Sequence, residues 1–341
     1  MTTDMAEAGT ERDFGIVLVL SGGNALGAFE AGVYETLHEH GLEPDWIVGA
    51  SIGAINGALI VGSAPDRRIA TLRKFWRPSM LALMGIDTSR MPSVFENSRR
   101  TTAVAWTAAA GRSGIFGPLL SSLMPWTDDK PAIFETNQLG AELARLIDFD
   151  RLNTGPCRFN ATAVDLETGN DVVFDNQRER IEPDHVRASA ALPVAFPAVE
   201  VGGRWMVDGG LSANLPLDPV LSHPPARPTL CIAVDLLPLC QPLPTTLGEA
   251  ATRMQDLIFA AQSRRTIARW QEAYAGRDDI QMSLVRVAYT EQDNEVAGKA
   301  LDFSAPTIEA RWAAGHTAGM HVVRRIKAGS LSIGTIGLNV V

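Results

Sequence analysis

The first sixty residues alternate between short apolar runs and glycine-containing turns, and this alternation limits the fold more than any other feature. Phe14–Leu20 is a continuous apolar run rich in β-branched residues, typical of a strand buried in a parallel sheet. The glycine-rich stretch Ser21–Gly27 follows, and Ala28–Glu39 has the apolar spacing of a helix. Trp46–Gly49 and Ile52–Val61 repeat the pattern as a second strand and a small, apolar helix. This order predicts a three-layer α/β/α fold with a mostly parallel central sheet.

The rest of the chain continues in the same manner. Later strands are predicted at Arg158–Val164, Asp171–Phe174, Trp205–Val207, Leu230–Leu236 and Met282–Ala288. Later helices are predicted at Thr71–Trp76, Asn137–Ile147, Val186–Ala190, Ala250–Ala275 and Ile308–Ala328. On Ala250–Ala275, the side chains expected to face inward are Met254, Leu257, Ile258, Ala261, Ile267 and Trp270.

The sequence contains no internal repeat and no obvious linker, which favours a single domain over residues 14–341. Residues 1–13 are polar and acidic and are predicted to be a flexible N-terminus. Residues 14–236 form the expected core, and 237–341 a C-terminal extension. The apolar but irregular segment 78–131 is expected to be a helical insertion, either a cap on the core or a lid.

Composition excludes several classes of function. The 341 residues carry a formal net charge of −9 and no basic stripe, so nucleic-acid binding is not expected. The basic pairs Arg99–Arg100 and Arg264–Arg265 are interpreted as solvated faces. The three cysteines lack metal-ligand spacing and are odd in number, which indicates a reducing compartment. With no signal peptide and no apolar run of about 18 residues, we expect a cytoplasmic protein, with peripheral membrane contact left open.

Ser51 is the strongest candidate for a catalytic residue. It lies in Gly49-Ala50-Ser51-Ile52-Gly53, between the second predicted strand and the second helix. In a G-x-S-x-G turn, Gly49 and Gly53 remove side chains that would clash, so the serine hydroxyl is exposed above the sheet. The helix N-terminus behind it favours developing negative charge. A non-catalytic turn whose glycines serve only packing could have the same sequence motif, but the predicted strand before it and helix after it favour a nucleophile.

The glycine-rich stretch is a candidate oxyanion hole. Acyl transfer needs backbone N–H groups directed at the oxyanion, and a glycine loop between a strand and a helix supplies them. The candidate residues are Gly22, Gly23, Asn24, Ala25 and Gly27. A plain connecting loop is the alternative. A dinucleotide-binding loop would require G-x-G-x-x-G and a later acidic residue, and the stretch has Asn24 at the second glycine position.

Asp208-Gly209-Gly210 follows a predicted strand and offers a base for Ser51, although an Asp-Gly hairpin turn would look the same. None of the six histidines suits a Ser-His-Asp triad well. α/β-Hydrolases with such a triad usually have several strands before the strand that carries the serine, and here only one precedes it. Asp208 and His316 would satisfy only the order of such a triad along the chain, which is serine, acid, histidine. No cluster of His, Asp or Glu has ligand spacing, so neither a metal nor a cofactor is expected.

These motifs together resemble the patatin-like phospholipases, a family of lipid acyl hydrolases with a Ser-Asp dyad. Gly22–Gly27 falls where the family has its oxyanion motif, and Ser51 and Asp208-Gly209-Gly210 match its nucleophile elbow and its aspartate motif. Ala188–Pro193, Phe196–Pro197 and Asn214–Pro216 also follow the family pattern. The resemblance covers about Phe14 to Leu236 and implies a patatin-like fold, with Ser51 as nucleophile and Asp208 as base.

Two departures from the family concern the glycine loop. Asn24 stands at a usual glycine, and Asn tolerates left-handed backbone. Leu26 stands where the family favours arginine or lysine, which weakens the case for a phospholipid headgroup more than the case for ester cleavage. We expect a serine lipid acyl hydrolase (phospholipase or esterase). An acyltransferase with the same serine, or a non-catalytic lipid-binding protein, is the alternative.

Overall fold

The computed structural model describes residues 12–76, 96–117, 131–290, 292 and 295–341. Its strands are β1 (Gly15–Leu20), β2 (Trp46–Ala50), β3 (Arg158–Asp165), β4 (Asp171–Asp175), β5 (Val199–Val201), β6 (Arg204–Asp208), β7 (Thr229–Asp235), β8 (Gln281–Ala288) and β9 (Gly337–Val340). Its helices are α1 (Ala28–Glu39), α2 (Ile52–Val61), α3 (Arg68–Phe75), α4 (Glu96–Ala110), α5 (Asn137–Leu146), α6 (Phe149–Thr154), α7 (Pro183–Ser189), α8 (Gly210–Ala213), α9 (Asp218–Leu221), α10 (Leu247–Ala273) and α11 (Ala305–Lys327).

All nine strands belong to one sheet, which is mostly parallel as predicted. β1 lies near its middle and pairs in parallel with β2 on one side and β7 on the other. β3, β8 and β9 extend the parallel part in the order β3-β2-β1-β7-β8-β9. β4, β5 and β6 add antiparallel pairs beside β3. The carboxyl ends of β1 and β2 therefore lie side by side at one edge, where parallel α/β sheets usually bind ligands.

The register at β3 brings two distant strand ends together. Residues 158–162 of β3 pair with β2, and residues 163–165 pair with β6. β4 pairs with residues 160–164 of β3 and so occupies its opposite edge. β2 and β6 therefore lie end to end along one edge of β3, with Ala50 opposite Thr162 and Asp208 opposite Ala163.

Helices cover both faces of the sheet. Alternate residues of β1 point to opposite faces, so Ile16, Leu18 and Leu20 join one apolar cluster, and Val17 and Val19 join another. The first cluster also contains apolar side chains of α1, α2 and α11, and the second those of α9 and α10. This three-layer α/β/α arrangement confirms the predicted fold class.

α1 and α11 cross at very short range because both helices carry glycine at the crossing. A Cβ atom added to Gly315 would lie 1.9 Å from the carbonyl oxygen of Phe29, and one added to Gly32 would lie 2.0 Å from that of Trp312. No side chain fits there, so the backbones themselves are in contact.

Several sequence-based expectations were wrong in detail. On α10, Met254, Leu257 and Ile258 are exposed, although apolar spacing placed them inward. The pair Arg99–Arg100 is buried and not solvated, because Arg100 binds Glu295 and Asp302. The helix predicted at Thr71–Trp76 begins three residues earlier, at Arg68.

Two predicted segments fall partly outside the described residues. Of the predicted N-terminus 1–13, only residues 12 and 13 are described. Of the insertion 78–131, residues 96–117 and 131 are described, and they include α4. In the described part of the chain, no helix combines the length and the apolar character needed to cross a bilayer.

Candidate active site

Ser51 occupies a strained turn between β2 and α2. Its backbone has φ of 55° and ψ of −124°, a region that non-glycine residues rarely enter and that costs on the order of 1–3 kcal/mol. Both the carbonyl oxygen and the Oγ atom of Ser189, each 3.1 Å away, accept from the Ser51 N–H group. The turn also needs Gly53, because a Cβ atom there would lie 2.3 Å from the Leu20 carbonyl oxygen. The surrounding structure therefore holds Ser51 in the geometry expected of a nucleophile elbow.

Asp208, the last residue of β6, lies beside Ser51. Its carboxylate accepts a hydrogen bond of 2.7 Å from the Gly210 N–H group, and the Ser51 hydroxyl lies near enough to lower its pKa. Only 2% of the residue is exposed. Burial raises the pKa of Asp208 to about 6, although the Ser51 hydroxyl and the Gly210 N–H group both pull the pKa down. A carboxylate with a pKa near neutrality, beside a serine hydroxyl, can take the proton of that hydroxyl.

The glycine loop, Ser21–Gly27, adjoins the same pair. Asn214 ties it down, because its side-chain N–H donates to the Gly22 carbonyl oxygen at 3.1 Å and its own carbonyl accepts from the Gly22 N–H at 3.0 Å. Asn24 has φ of 51°, the left-handed conformation that asparagine tolerates. The N–H groups of Gly23, Asn24 and Ala25 donate to no other residue in the described part of the chain. Three successive unpaired amides can bind an anion.

Asn56, on α2, supports the glycine loop from behind, and the sequence did not single it out. Its side-chain N–H group donates to the Gly27 carbonyl oxygen and to Glu30, both at 2.9 Å, and its amide oxygen accepts from Trp76 at 3.0 Å. Burial raises the pKa of Glu30 well above its ordinary range. An apolar helix containing one asparagine is the only sequence signal that could have marked Asn56.

Ser51 and Asp208 open into a cavity of about 350 Å³. Most of its described lining is apolar, with Leu26 of the glycine loop among the buried side chains. The apolar lining includes Ile52, Ile55, Ile115, Ile133, Phe134, Leu139, Leu192, Phe196, Leu237, Phe259 and Leu301. These residues come from the core, the insertion and the C-terminal extension, so all three parts build one wall that suits an acyl chain.

The described lining contains no histidine, so Asp208 is the base candidate nearest Ser51 there. His316, the one histidine that fitted the chain order of a triad, instead contacts Glu39 at 3.0 Å. Together with Glu35 these two residues bring ligand atoms within 4.8 Å of one another, a cluster that spacing alone did not reveal. Glu35 already accepts from Trp312 at 2.6 Å and pairs with Arg73. These contacts account for the cluster.

Comparison with known proteins decides the family. Residues 18–221, more than half of the chain, match the family model described as patatin-like phospholipase. The chain belongs to the patatin-like phospholipase family. A second model, described as patatin phospholipase, matches residues 245–328, a region where the motifs gave only a loose likeness. The predicted family is therefore confirmed.

The patatin-like relatives are distant in sequence. An uncharacterized NTE family protein of Mycobacterium bovis is 25% identical over 221 residues, which is 65% of this chain and 49% of the relative. Another from Mycobacterium tuberculosis is 28% identical over 200 residues, 58% of this chain and 27% of the relative. The triacylglycerol lipase SDP1L of Arabidopsis thaliana is 41% identical over 83 residues, 24% of this chain and 10% of the lipase. The chain thus spans about half, or less, of these relatives.

Among solved structures, VipD of Legionella pneumophila aligns with a TM-score of 0.39 and 13% identity, covering 88% of this chain and 67% of VipD. The type III effector protein ExoU aligns with a TM-score of 0.37 and 15% identity, covering 92% of this chain and 53% of ExoU.

Proposed function

We propose that this patatin-like protein is a serine lipid acyl hydrolase that cleaves carboxylic esters of lipids through a Ser51–Asp208 dyad. The observation that carries the proposal is the placement of Ser51, in a strained elbow, beside a buried Asp208 in the lining of one mostly apolar cavity. The Arabidopsis relative is a triacylglycerol lipase, which agrees with a lipid ester as substrate.

The chemistry follows from these positions. Ser51 Oγ attacks the ester carbonyl carbon while Asp208 takes its proton. The oxyanion accepts hydrogen bonds from the free amides near Gly23, Asn24 and Ala25. When the tetrahedral intermediate collapses, the C–O bond to the alcohol breaks and Asp208 returns the proton to the leaving oxygen. Water then attacks the acyl-serine with Asp208 again as base, releasing the fatty acid and the free serine.

Peripheral contact with a lipid surface is part of the proposal, because long-chain lipid esters are held in such surfaces and not in free solution. The apolar cavity wall would receive the acyl chain from there. Burial of apolar chain surface contributes about 25 cal/mol per Å² and would favour long acyl groups over short ones.

Substitution of the dyad tests the mechanism. We expect Ser51→Ala to reduce hydrolysis of acyl esters of graded chain length to the blank rate. Asp208→Asn keeps the shape of the carboxyl but not its basicity, and should lower kcat by roughly 10²–10⁴-fold, the usual contribution of a general base. Ser222→Ala, at an exposed serine, is the matched control and should retain wild-type rates. Full activity in either dyad variant would exclude this mechanism.

Two further measurements separate the alternatives. A fluorophosphonate probe should label Ser51 in the folded protein, and absence of labelling would indicate a lipid-binding protein instead. Product analysis with an added acceptor alcohol distinguishes the reactions, since an acyltransferase would form the new ester and a hydrolase the free acid.

A further inference from the structure

We infer that the cavity selects acyl esters whose headgroup carries no negative charge, and that the buried ion pair Lys299–Asp256 sets this selectivity. The inference rests on the proposed hydrolase function and specifies its substrate class. It assigns a specificity role to two residues of the C-terminal extension, outside the dyad and the glycine loop.

Lys299 is the one Lys or Arg among the described residues that line the cavity. Its Nζ atom lies 2.7 Å from Asp256 Oδ2 and 2.7 Å from Gln292 Oε1. Both side chains of the ion pair are buried, with 7% and 4% exposed. The ammonium charge is thus balanced by Asp256, and two of its three N–H groups already have partners. A phosphate in this cavity would lose its hydration without gaining a free cation.

The glycine loop supplies no substitute for that cation. Leu26 is fully buried and lines the cavity at the position where the family resemblance leads one to expect arginine or lysine. The carboxylate of Asp208 lines the same end, so the described lining carries two carboxylates, Asp208 and Asp256, against one ammonium group. Apart from the glycine-loop amides, which are assigned to the oxyanion, the charges that line the cavity therefore oppose an anionic headgroup.

The turn that carries Lys299 adjoins the glycine loop. Lys299 begins a short turn, Lys299–Leu301, that packs directly against the 3-10 turn Asn24–Gly27 of the glycine loop. Arg311 holds this turn by donating to the Lys299 carbonyl oxygen at 2.9 Å. The Lys299 backbone is therefore anchored, and its ammonium group contacts Asp256 and Gln292.

A second cavity of about 330 Å³ shares Thr252, Asp256 and Lys299 with the first. Its described lining has three carboxylates, of Glu249, Asp256 and Glu295, against the cations Arg253 and Lys299. Neither cavity has an excess of positive charge along its described walls. A headgroup reaching either one meets surroundings with no net positive charge, which suits hydroxyl groups better than a phosphate.

Paired substrates with one acyl chain test the selectivity. 1-Dodecanoylglycerol and its 3-phosphate present the same ester with and without the negative charge. We expect the wild-type kcat/KM to be at least tenfold higher for the uncharged ester. Equal or greater activity on the phosphate overturns the inference. Ser51-dependent cleavage of simple esters, with neither glycerol ester cleaved, overturns it while the proposed hydrolase function stands. Absence of any Ser51-dependent cleavage overturns the proposed function itself.

Asp256→Asn tests the ion pair, because it leaves Lys299 without a counter-ion. The preference should shift toward the phosphate by about tenfold to a hundredfold, the range expected for one charge-assisted hydrogen bond. Asp256→Asn combined with Lys299→Gln makes the pair neutral and should restore the wild-type preference. Asp218→Asn is the matched control, since it breaks the exposed pair with Arg269 on α10. If the single and the double variant shift the substrate preference equally, the ion pair is a structural contact and does not set the selectivity.

The inference remains testable if Asp256→Asn does not fold. Non-hydrolysable ether analogues of the two substrates then compete with an ester substrate on the wild-type protein. The uncharged ether should inhibit at a lower concentration than its phosphate. The reverse order would contradict a cavity closed to anions.

Discussion

Asp208 combines the ability to accept a proton with burial that disfavours its charged form. Burial raises its pKa to about 6, and only the ionised carboxylate can act as base. We therefore expect kcat/KM on an uncharged ester to rise about tenfold per pH unit below 6 and to level off above it. A pH–rate profile on the wild-type protein measures this directly. A profile that is flat between pH 5 and 7 would exclude Asp208 as the base.

The same shift predicts how stability depends on pH. Because the folded-state pKa lies above the unfolded value of about 4, Asp208 contributes stability at low pH and loses that contribution as the pH rises from about 4 through 6. A shift of about two pKa units corresponds to about 3 kcal/mol. The unfolding free energy of wild type, relative to non-titrating Asp208→Asn, should fall by about this much between pH 4 and pH 7. If the difference in unfolding free energy between the two proteins does not change with pH, the raised pKa of Asp208 is contradicted.

At the residue scale, sequence motifs were informative where the backbone conformation requires a particular residue type. The elbow around Ser51, the glycine loop and the Asp208 motif each demand glycines at set spacings, and the structure brings all three together. Their catalytic roles remain predictions. Asn56 and Lys299 escaped notice because their roles depend on partners far away in the chain. The buried pair Arg99–Arg100 was misread for the same reason.

At the scale of elements, the meeting of β2 and β6 explains why a serine and an aspartate 157 residues apart are adjacent. Both strands lie along the same edge of β3, so the elbow after Ala50 and the end of β6 at Asp208 face each other. Hydrophobic patterns predicted both strands, but they carry no information about register or about which strand edge is shared. The dyad therefore had to be inferred from family resemblance, and the register supplies its physical basis.

The crossing of α1 and α11 yields a prediction about packing. Gly315→Ala would place a Cβ atom 1.9 Å from the Phe29 carbonyl oxygen, so the two helices must move apart. Such overpacking costs about 1–3 kcal/mol, and we expect the free energy of unfolding to fall by that amount in denaturant titrations.

Gly140→Ala on α5 is the matched control for that substitution. The nearest atom to its added Cβ would be Arg187 Nη1 at 3.8 Å, an ordinary contact. There the helical preference of alanine should raise the free energy of unfolding by about 0.5–1 kcal/mol. If the two variants change stability in the same direction, the α1–α11 contact is not as close as described.

For the whole molecule, the fold class followed from the order of strands and helices, but the role of the last hundred residues did not. Residues 237–341 were predicted as a C-terminal extension within a single domain of residues 14–341, whose core was placed at 14–236. In the structure β8 and β9 continue the central sheet, α11 packs on α1, and Lys299 with Phe259 lines the cavity. The error on α10, whose exposed Met254 and Ile258 were expected inside, comes from the same region. Apolar spacing does not reveal which partner a helix will meet.

We therefore predict that the chain cannot be divided at residue 236. Removing residues 237–341 would expose the edge of β7, which pairs with β8 over Thr229–Asp235, and uncover the face of α1 beneath α11. An unpaired edge next to uncovered apolar surface favours aggregation. Circular dichroism and thermal unfolding of a 1–236 fragment should show no cooperative transition. Deletion of residues 337–341 removes only β9, the half-buried edge strand, and should preserve a cooperative unfolding transition. Cooperative unfolding of the 1–236 fragment would show that the C-terminal extension is an appended unit and not part of the fold.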